Sequence, residues 1–213
     1  MKPRVQIIAD VYGWAWERKA FALREHLGDA FDVEVAYQYQ VGAPPVRPGA
    51  DLYSTFEVFQ ASAVPEGAPY VTGITAHVWE GLEQRFSPAA LHNWSARARA
   101  FHANSVLLQR EAERRLERPI AYCPNGVDER FFRRTRRRAE ASRLVVGWVG
   151  KPAPRKGGAI VAAACRAAGV ELRTIERRHT DALSPEGMRE FYQDLHVLAV
   201  ASDMDGTPNP ALE

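Results

Sequence analysis

The feature that most constrains this chain is that its pattern starts over. Short apolar runs alternate with stretches of helical spacing from the first residues, break off at an arginine-rich segment, and then resume. In the first series, strands are expected at 5–10, 31–39, 51–56, 70–77, 100–106 and 120–123, and helices at 16–27, 89–99 and 107–116. The second series reads as strand 144–149, helix 158–168, strand 170–175, helix 184–194 and strand 195–201. Ser184, Pro185 and Glu186 supply a cap, a first helical residue and a first-turn acid for that second helix. Asn209 and Pro210 then look like another helix start, Asn as cap and Pro at the first position. Strands alternating with helices imply parallel sheets covered on both faces, hence an α/β chain with two βα units, the second incomplete. The expected division is 1–128, a linker at 129–143, and 144–213.

Each series reads as a Rossmann-like unit, in which ligands sit at the C-terminal ends of the strands. The loops there therefore matter most. The strongest is the tail from Ser202 to Glu213, which joins an apolar strand to a helix start through Gly206, Thr207, Pro208 and Asn209. A loop of this kind presents backbone N–H groups, and a helix N-terminus adds partial positive charge. Asp205 and Glu213 bracket it, and carboxylates accept hydrogen bonds from sugar or ribose hydroxyls. The same spacing also fits an ordinary βα loop with a capped helix. The second loop runs from Gly150 through Lys151, Arg155 and Lys156 to Gly157 and Gly158. Its cations suit a diphosphate, although a solvated basic loop has the same composition and the Walker order is absent. Taken together, the two loops offer cations, acceptors and a helix N-terminus on one sheet edge, which is what a nucleoside diphosphate sugar requires.

These stretches resemble a known family. Pro124, Asn125, Gly126, Val127 and Asp128 with Phe132, then Gly150 to Gly157, then Asp205 to Glu213, look like the donor domain of the retaining glycosyltransferases of family 4, which have the GT-B architecture. The likeness is close over about half the chain. It implies transfer of a sugar from a nucleoside diphosphate donor to a saccharide or lipid-linked acceptor with retention, without a bound metal or other cofactor. It implies donor contacts from Gly150, Lys151, Lys156, Gly206, Thr207, Pro208, Asn209 and Glu213, with Glu213 on the ribose. Asp205 and His77 are the implied catalytic residues, His77 resembling the acceptor-domain histidine that touches the transferred sugar. Gly13 and Trp14 resemble the acceptor-side glycine loop more loosely. Lys151 stands where the family has Arg, and Asp205 is one methylene shorter than the usual Glu.

Other features bound the function. His77 also fits a polar loop position, and Trp14 and Trp16 fit equally a core position or an acceptor platform. Cys123 and Cys165 lie in apolar stretches with no metal or disulfide spacing and are expected to be buried thiols. No cluster has metal-ligand spacing; the Asp203/Asp205 pair resembles the metal motif of another glycosyltransferase architecture, but Asp205 fits the two-acid motif in register. The net charge of +2 is too small to imply a polyanion partner on its own. Seven arginines fall within 129–143. They read as a solvated linker, as a peripheral contact with anionic lipid, or as a nucleic-acid surface; the last lacks interleaved aromatics, so no nucleic-acid partner is expected. With no apolar run near the ~20 residues of a membrane span and a strand opening at once, a cytoplasmic location is expected. The chain is expected to end within the donor motif, one turn into the helix bearing Glu213. Alone it is expected to be inactive as a transferase and to self-associate, or to need a partner chain, through an exposed edge.

Overall fold

The computed structural model describes residues 1–13, 15–39, 41–75, 88–135, 143–176, 183–203 and 205–213. Trp14 and His77 lie outside them. The chain divides into two compact units, Met1–Pro124 and Asn125–Glu213. The arginine-rich stretch 129–143 falls in the second, and its residues 136–142 are outside the described set.

The first unit is built on one parallel sheet of six described strands: β1 (Arg4–Ala9), β2 (Asp32–Tyr37), β3 (Leu52–Thr55), β4 (Tyr70–Ile74), β5 (Ala100–Ala103) and β6 (Ile120–Tyr122), in the order β2-β1-β3-β4-β5-β6. Its described α-helices are α1 (Ala15–Leu27), α2 (Pro88–Arg97) and α3 (Val106–Leu116). The run Ile7, Ile8, Ala9 shows why the strand is apolar throughout. Ile7 and Ala9 join a cluster with Val33, Val35 and Tyr37, while Ile8 joins another with Tyr53, Tyr70 and Phe101. Alternate side chains of a strand point to opposite faces, so both faces of the sheet are buried, as parallel sheets require. A 3₁₀ turn at Val58–Ala63 follows β3, with a capping box between Glu57 and Gln60. This turn was not expected; its signal was the Glu-x-x-Gln spacing.

The second unit is a parallel sheet of three described strands, β7 (Val145–Gly150), β8 (Glu171–Glu176) and β9 (Val197–Leu198), in the order β8-β7-β9. Helices α4 (Gly158–Ala168), α5 (Pro185–Gln193) and α6 (Asn209–Leu212) accompany it. The expected strand at 195–201 shrinks to two ladder residues, Val197 and Leu198. Leu195 instead turns its side chain against Gly147, where an added Cβ would lie 2.1 Å from Leu195 Cδ1. Ser184 caps α5 by accepting from Gly187 N at 3.2 Å, with Pro185 at the first helical position.

Both sheets reverse direction beside their first strand. The chain runs from β1 to β2 on one side and places β3 on the other; it runs from β7 to β8 and places β9 on the other. Such reversals open a crevice at the C-terminal strand ends, because the adjoining loops depart toward opposite faces. Cys165 is buried at 5%, but Cys123 is exposed at the end of the edge strand β6, which corrects the expectation of two buried thiols. Among the described residues, no helix is long and apolar enough to cross a membrane.

Candidate functional site

In the second unit the reversal lies between β7 and β9, and the two loops singled out in the sequence leave from these strands. After β7 the chain passes Lys151, forms a 3₁₀ turn at Pro154–Lys156 and enters α4 through Gly157. Gly157 has φ +70, and a Cβ there would sit 2.1 Å from the Ala201 carbonyl oxygen. Only glycine satisfies both the left-handed backbone and this close approach. No side chain caps α4, and helix geometry leaves the first-turn N–H groups without intrahelical acceptors. That end of α4 is therefore a donor-rich, partly positive surface.

Trp148 supports this loop from below. Its indole N–H donates to the Lys156 carbonyl at 3.1 Å. A Cβ on Gly150 or on Gly158 would lie 2.6 or 2.8 Å from its ring, so both glycines let the backbone rest on the indole. Sequence reading assigned Trp148 no role; the signal was an aromatic two residues before Gly150 on the same strand.

The loop after β9 is tied to the first loop at several points. The Arg155 carbonyl accepts from Asp203 N at 3.1 Å and from Ser202 Oγ at 3.2 Å. Lys156 Nζ donates to Asp205 Oδ1 and Oδ2, each at 2.7 Å, with both side chains largely covered (22% and 29% exposed). Asn125 Nδ2 donates to the Thr207 carbonyl at 3.0 Å and to Asn209 Oδ1 at 3.1 Å. That amide joins the loop carrying Gly206, Thr207, Pro208 and Asn209 to the segment that opens the second unit. Because Asn209 Oδ1 is occupied in this way, it does not cap α6. The cap position is Pro208, one residue earlier than expected.

The structure thus brings Gly150, Lys156, Asp205, Thr207 and Asn209 into one cluster of loops, with Lys151 exposed at its start. Glu213 faces elsewhere. Its Oε2 accepts from Tyr192 OH at 2.8 Å, and it lines a cavity of about 240 Å³ with Phe132, Arg134, Arg189 and Tyr192.

On the first unit, Gly13 has φ +75 and donates its N–H to Glu17 Oε2 at 2.6 Å. Trp16 is partly buried and stacks on Phe56 with ring centres 6.1 Å apart, a core position rather than an exposed platform. Around the β1–β3 reversal stand Glu57, 2% exposed, whose Oε1 accepts from Thr75 N and Oγ1 at 2.9 and 2.7 Å, and Lys19 on α1. Burial lowers the Lys19 pKa, opposed by the charges of Glu57 and Cys123. Burial likewise lowers that of His102, with Lys19 adding repulsion. Among the described residues, no group of three or more His, Cys, Asp or Glu could hold a metal ion.

What fold and site define is an α/β protein with two parallel sheets and a basic glycine loop joined to an acidic one at a strand-order reversal. No family model matches the chain, and no curated protein matches it.

Proposed function

We propose that this chain is a GT-B glycosyltransferase, acceptor-side in its first unit and donor-binding in its second, moving a sugar with retention from a nucleoside diphosphate sugar to a saccharide or lipid-linked acceptor. The observation that carries this reading is the bidentate contact between Lys156 and Asp205 at the β7–β9 reversal. A diphosphate needs a cation and N–H donors; a hexose needs an acceptor for its hydroxyls. Lys156 and the N-terminus of α4 supply the first, and Asp205 supplies the second beside it.

In the proposed reaction the bond between the anomeric carbon and the diphosphate oxygen breaks while the acceptor oxygen bonds the same carbon. The acceptor's proton passes to the departing diphosphate. Lys151, Lys156 and the α4 N-terminus stabilise the negative charge that grows on the leaving group, an electrostatic effect that is strongest when the donors are fixed beforehand. The Trp148 and Gly157 contacts fix them. Positioning of the acceptor hydroxyl supplies the remainder.

A second reading, a module that binds the nucleotide sugar without transferring it, is favoured by one observation: both Asp205 oxygens are already engaged by Lys156. Calorimetry against a panel of nucleoside diphosphate sugars tests the donor site. Saturable binding that Lys156→Ala weakens is expected, and binding indifferent to that change removes Lys156 from the site. Sugar transfer measured in excess chelator then separates transferase from module. Loss of transfer that manganese restores would favour a metal-dependent architecture.

A further inference from the structure

We propose that the Asp205 carboxylate is the group by which the site tells a sugar-bearing donor from the bare nucleoside diphosphate that transfer leaves behind. It repels the bare diphosphate and favours a nucleotide whose sugar brings hydroxyls. This inference rests on the donor-site reading above and adds a discrimination which that reading does not require.

The geometry sets up a conflict of charge. The Lys156 ammonium has three N–H donors, and its contacts with Asp205 Oδ1 and Oδ2, each at 2.7 Å, take up two of them. Among the described residues, Lys156 is the one cation in ion-pair contact with Asp205. A diphosphate arriving at Lys156 therefore meets one remaining donor and, directly behind the ammonium, a carboxylate of its own sign. The two side chains are 22% and 29% exposed, so water screens that repulsion only in part.

Neither group can retreat with its backbone. The Lys156 carbonyl accepts from Trp148 Nε1 at 3.1 Å, and Gly157 lies so close to the Ala201 carbonyl that a Cβ would not fit. Across from it, Asp203 N donates to the Arg155 carbonyl at 3.1 Å, and the Thr207 carbonyl accepts from Asn125 Nδ2 at 3.0 Å. The chain is thus tied two residues before Asp205 and two residues after it. What can change is the partner of each side chain.

The two ligands are then treated differently. A bare diphosphate that draws the ammonium to itself strips the Asp205 oxygens of their donors, and a partly covered carboxylate without donors is destabilised. A hexose on the nucleotide donates its hydroxyls to those oxygens in place of the ammonium, and Lys156 passes to the diphosphate with both groups satisfied. A site built to receive hydroxyls rejects the analogue that lacks them. After transfer the same exchange runs backwards: the sugar leaves, Asp205 recaptures Lys156, and the departing diphosphate loses that cation.

The test titrates the 213-residue chain by calorimetry with UDP, GDP and ADP and with UDP-glucose, GDP-mannose and ADP-glucose, at low and at high salt. The parent chain is expected to bind at least one sugar nucleotide more tightly than the matching bare nucleotide, and high salt to narrow that preference. Asp205→Asn is expected to tighten the bare nucleotide about fivefold, the scale of one partly screened charge contact, without tightening the sugar nucleotide. Asp205→Glu keeps the charge and is expected to keep the preference. Bare nucleotide bound no more tightly by Asp205→Asn, with the circular dichroism of the parent, overturns the proposal and leaves the donor site standing. So does a parent chain that binds bare nucleotide as tightly as every sugar nucleotide. If Asp205→Asn does not fold, a parent preference that salt fails to narrow overturns the proposal. Absence of binding by both classes of nucleotide overturns the donor-site reading itself, and this inference with it.

Discussion

Lys156 Nζ sits 2.7 Å from each carboxylate oxygen of Asp205, although the residues are 49 apart in sequence. The pair closes the loop after β7 onto the loop after β9, and it sets a concrete energetic expectation. Both side chains are largely covered, so the coupling should exceed a fully exposed ion pair and still amount to about 1 kcal/mol. A double-mutant cycle with Lys156→Ala and Asp205→Asn, read by denaturant unfolding, measures it. Zero coupling would mean that the loops are held by their other contacts, those of Asp203 N and Ser202 Oγ with the Arg155 carbonyl among them.

Gly157 carries a different burden. With φ +70 and the Ala201 carbonyl where a Cβ would stand, Gly157→Ala meets left-handed strain of about 1–2 kcal/mol and a clash with backbone that cannot swing aside. The unfolding midpoint of the second unit should fall by about 5 °C or more, and nucleotide binding should fall with it. A thermal melt of the variant beside the parent chain checks this.

Asn125 reaches 82 and 84 residues along the chain to bond the Thr207 carbonyl and Asn209 Oδ1. Asn125→Ala removes both bonds, each worth about 1 kcal/mol. Hydrogen exchange of the amides at 205–213 should speed up several-fold while those of β7 and β8 stay protected. Unchanged exchange would show that Asn125 does not hold the loop.

His102 predicts a pH dependence. Its pKa is lowered below the ordinary 6.5, by burial first and by Lys19 second. The unfolded chain therefore binds a proton more readily than the folded one. Stability contributed by neutral His102 is complete above about 6.5 and is lost as pH falls toward the lowered folded value. Lys19, also lowered, acts with the same sign at higher pH. The melting temperature should drop between about pH 7.5 and 5.5, and His102→Gln should flatten that slope.

Local pattern made much of this legible. Apolar runs and caps placed β1, α3, α4 and α5 to within about two residues, because burial on both faces and the Ser184–Pro185 start leave marks in sequence. What escaped were the consequences of long-range packing. Nothing local distinguishes Val197 and Leu198, which pair with β7, from Val200, which does not, since the whole run is apolar. The six-residue 3₁₀ turn at Val58–Ala63 is too short for helical periodicity to show. In the site, the basic and acidic loops were legible from their glycines and charges. The roles of Trp148 and Asn125 were not: Trp148 depends on the loop after β7 folding back over its ring, and Asn125 on partners 82 and 84 residues away. Long-range packing also turns Glu213 toward Tyr192 rather than toward Lys156.

The central claim is that a nucleoside diphosphate sits on the N-terminus of α4 between the two loops. The most direct measurement is a ¹⁵N-edited NMR titration of the chain with UDP, GDP and ADP, following the amides of Gly157, Gly158, Ala159, Gly206 and Thr207. The account predicts saturable shifts concentrated at these amides and lost in Lys156→Ala. Shifts that do not saturate, or that gather elsewhere while these amides stay still, would contradict it.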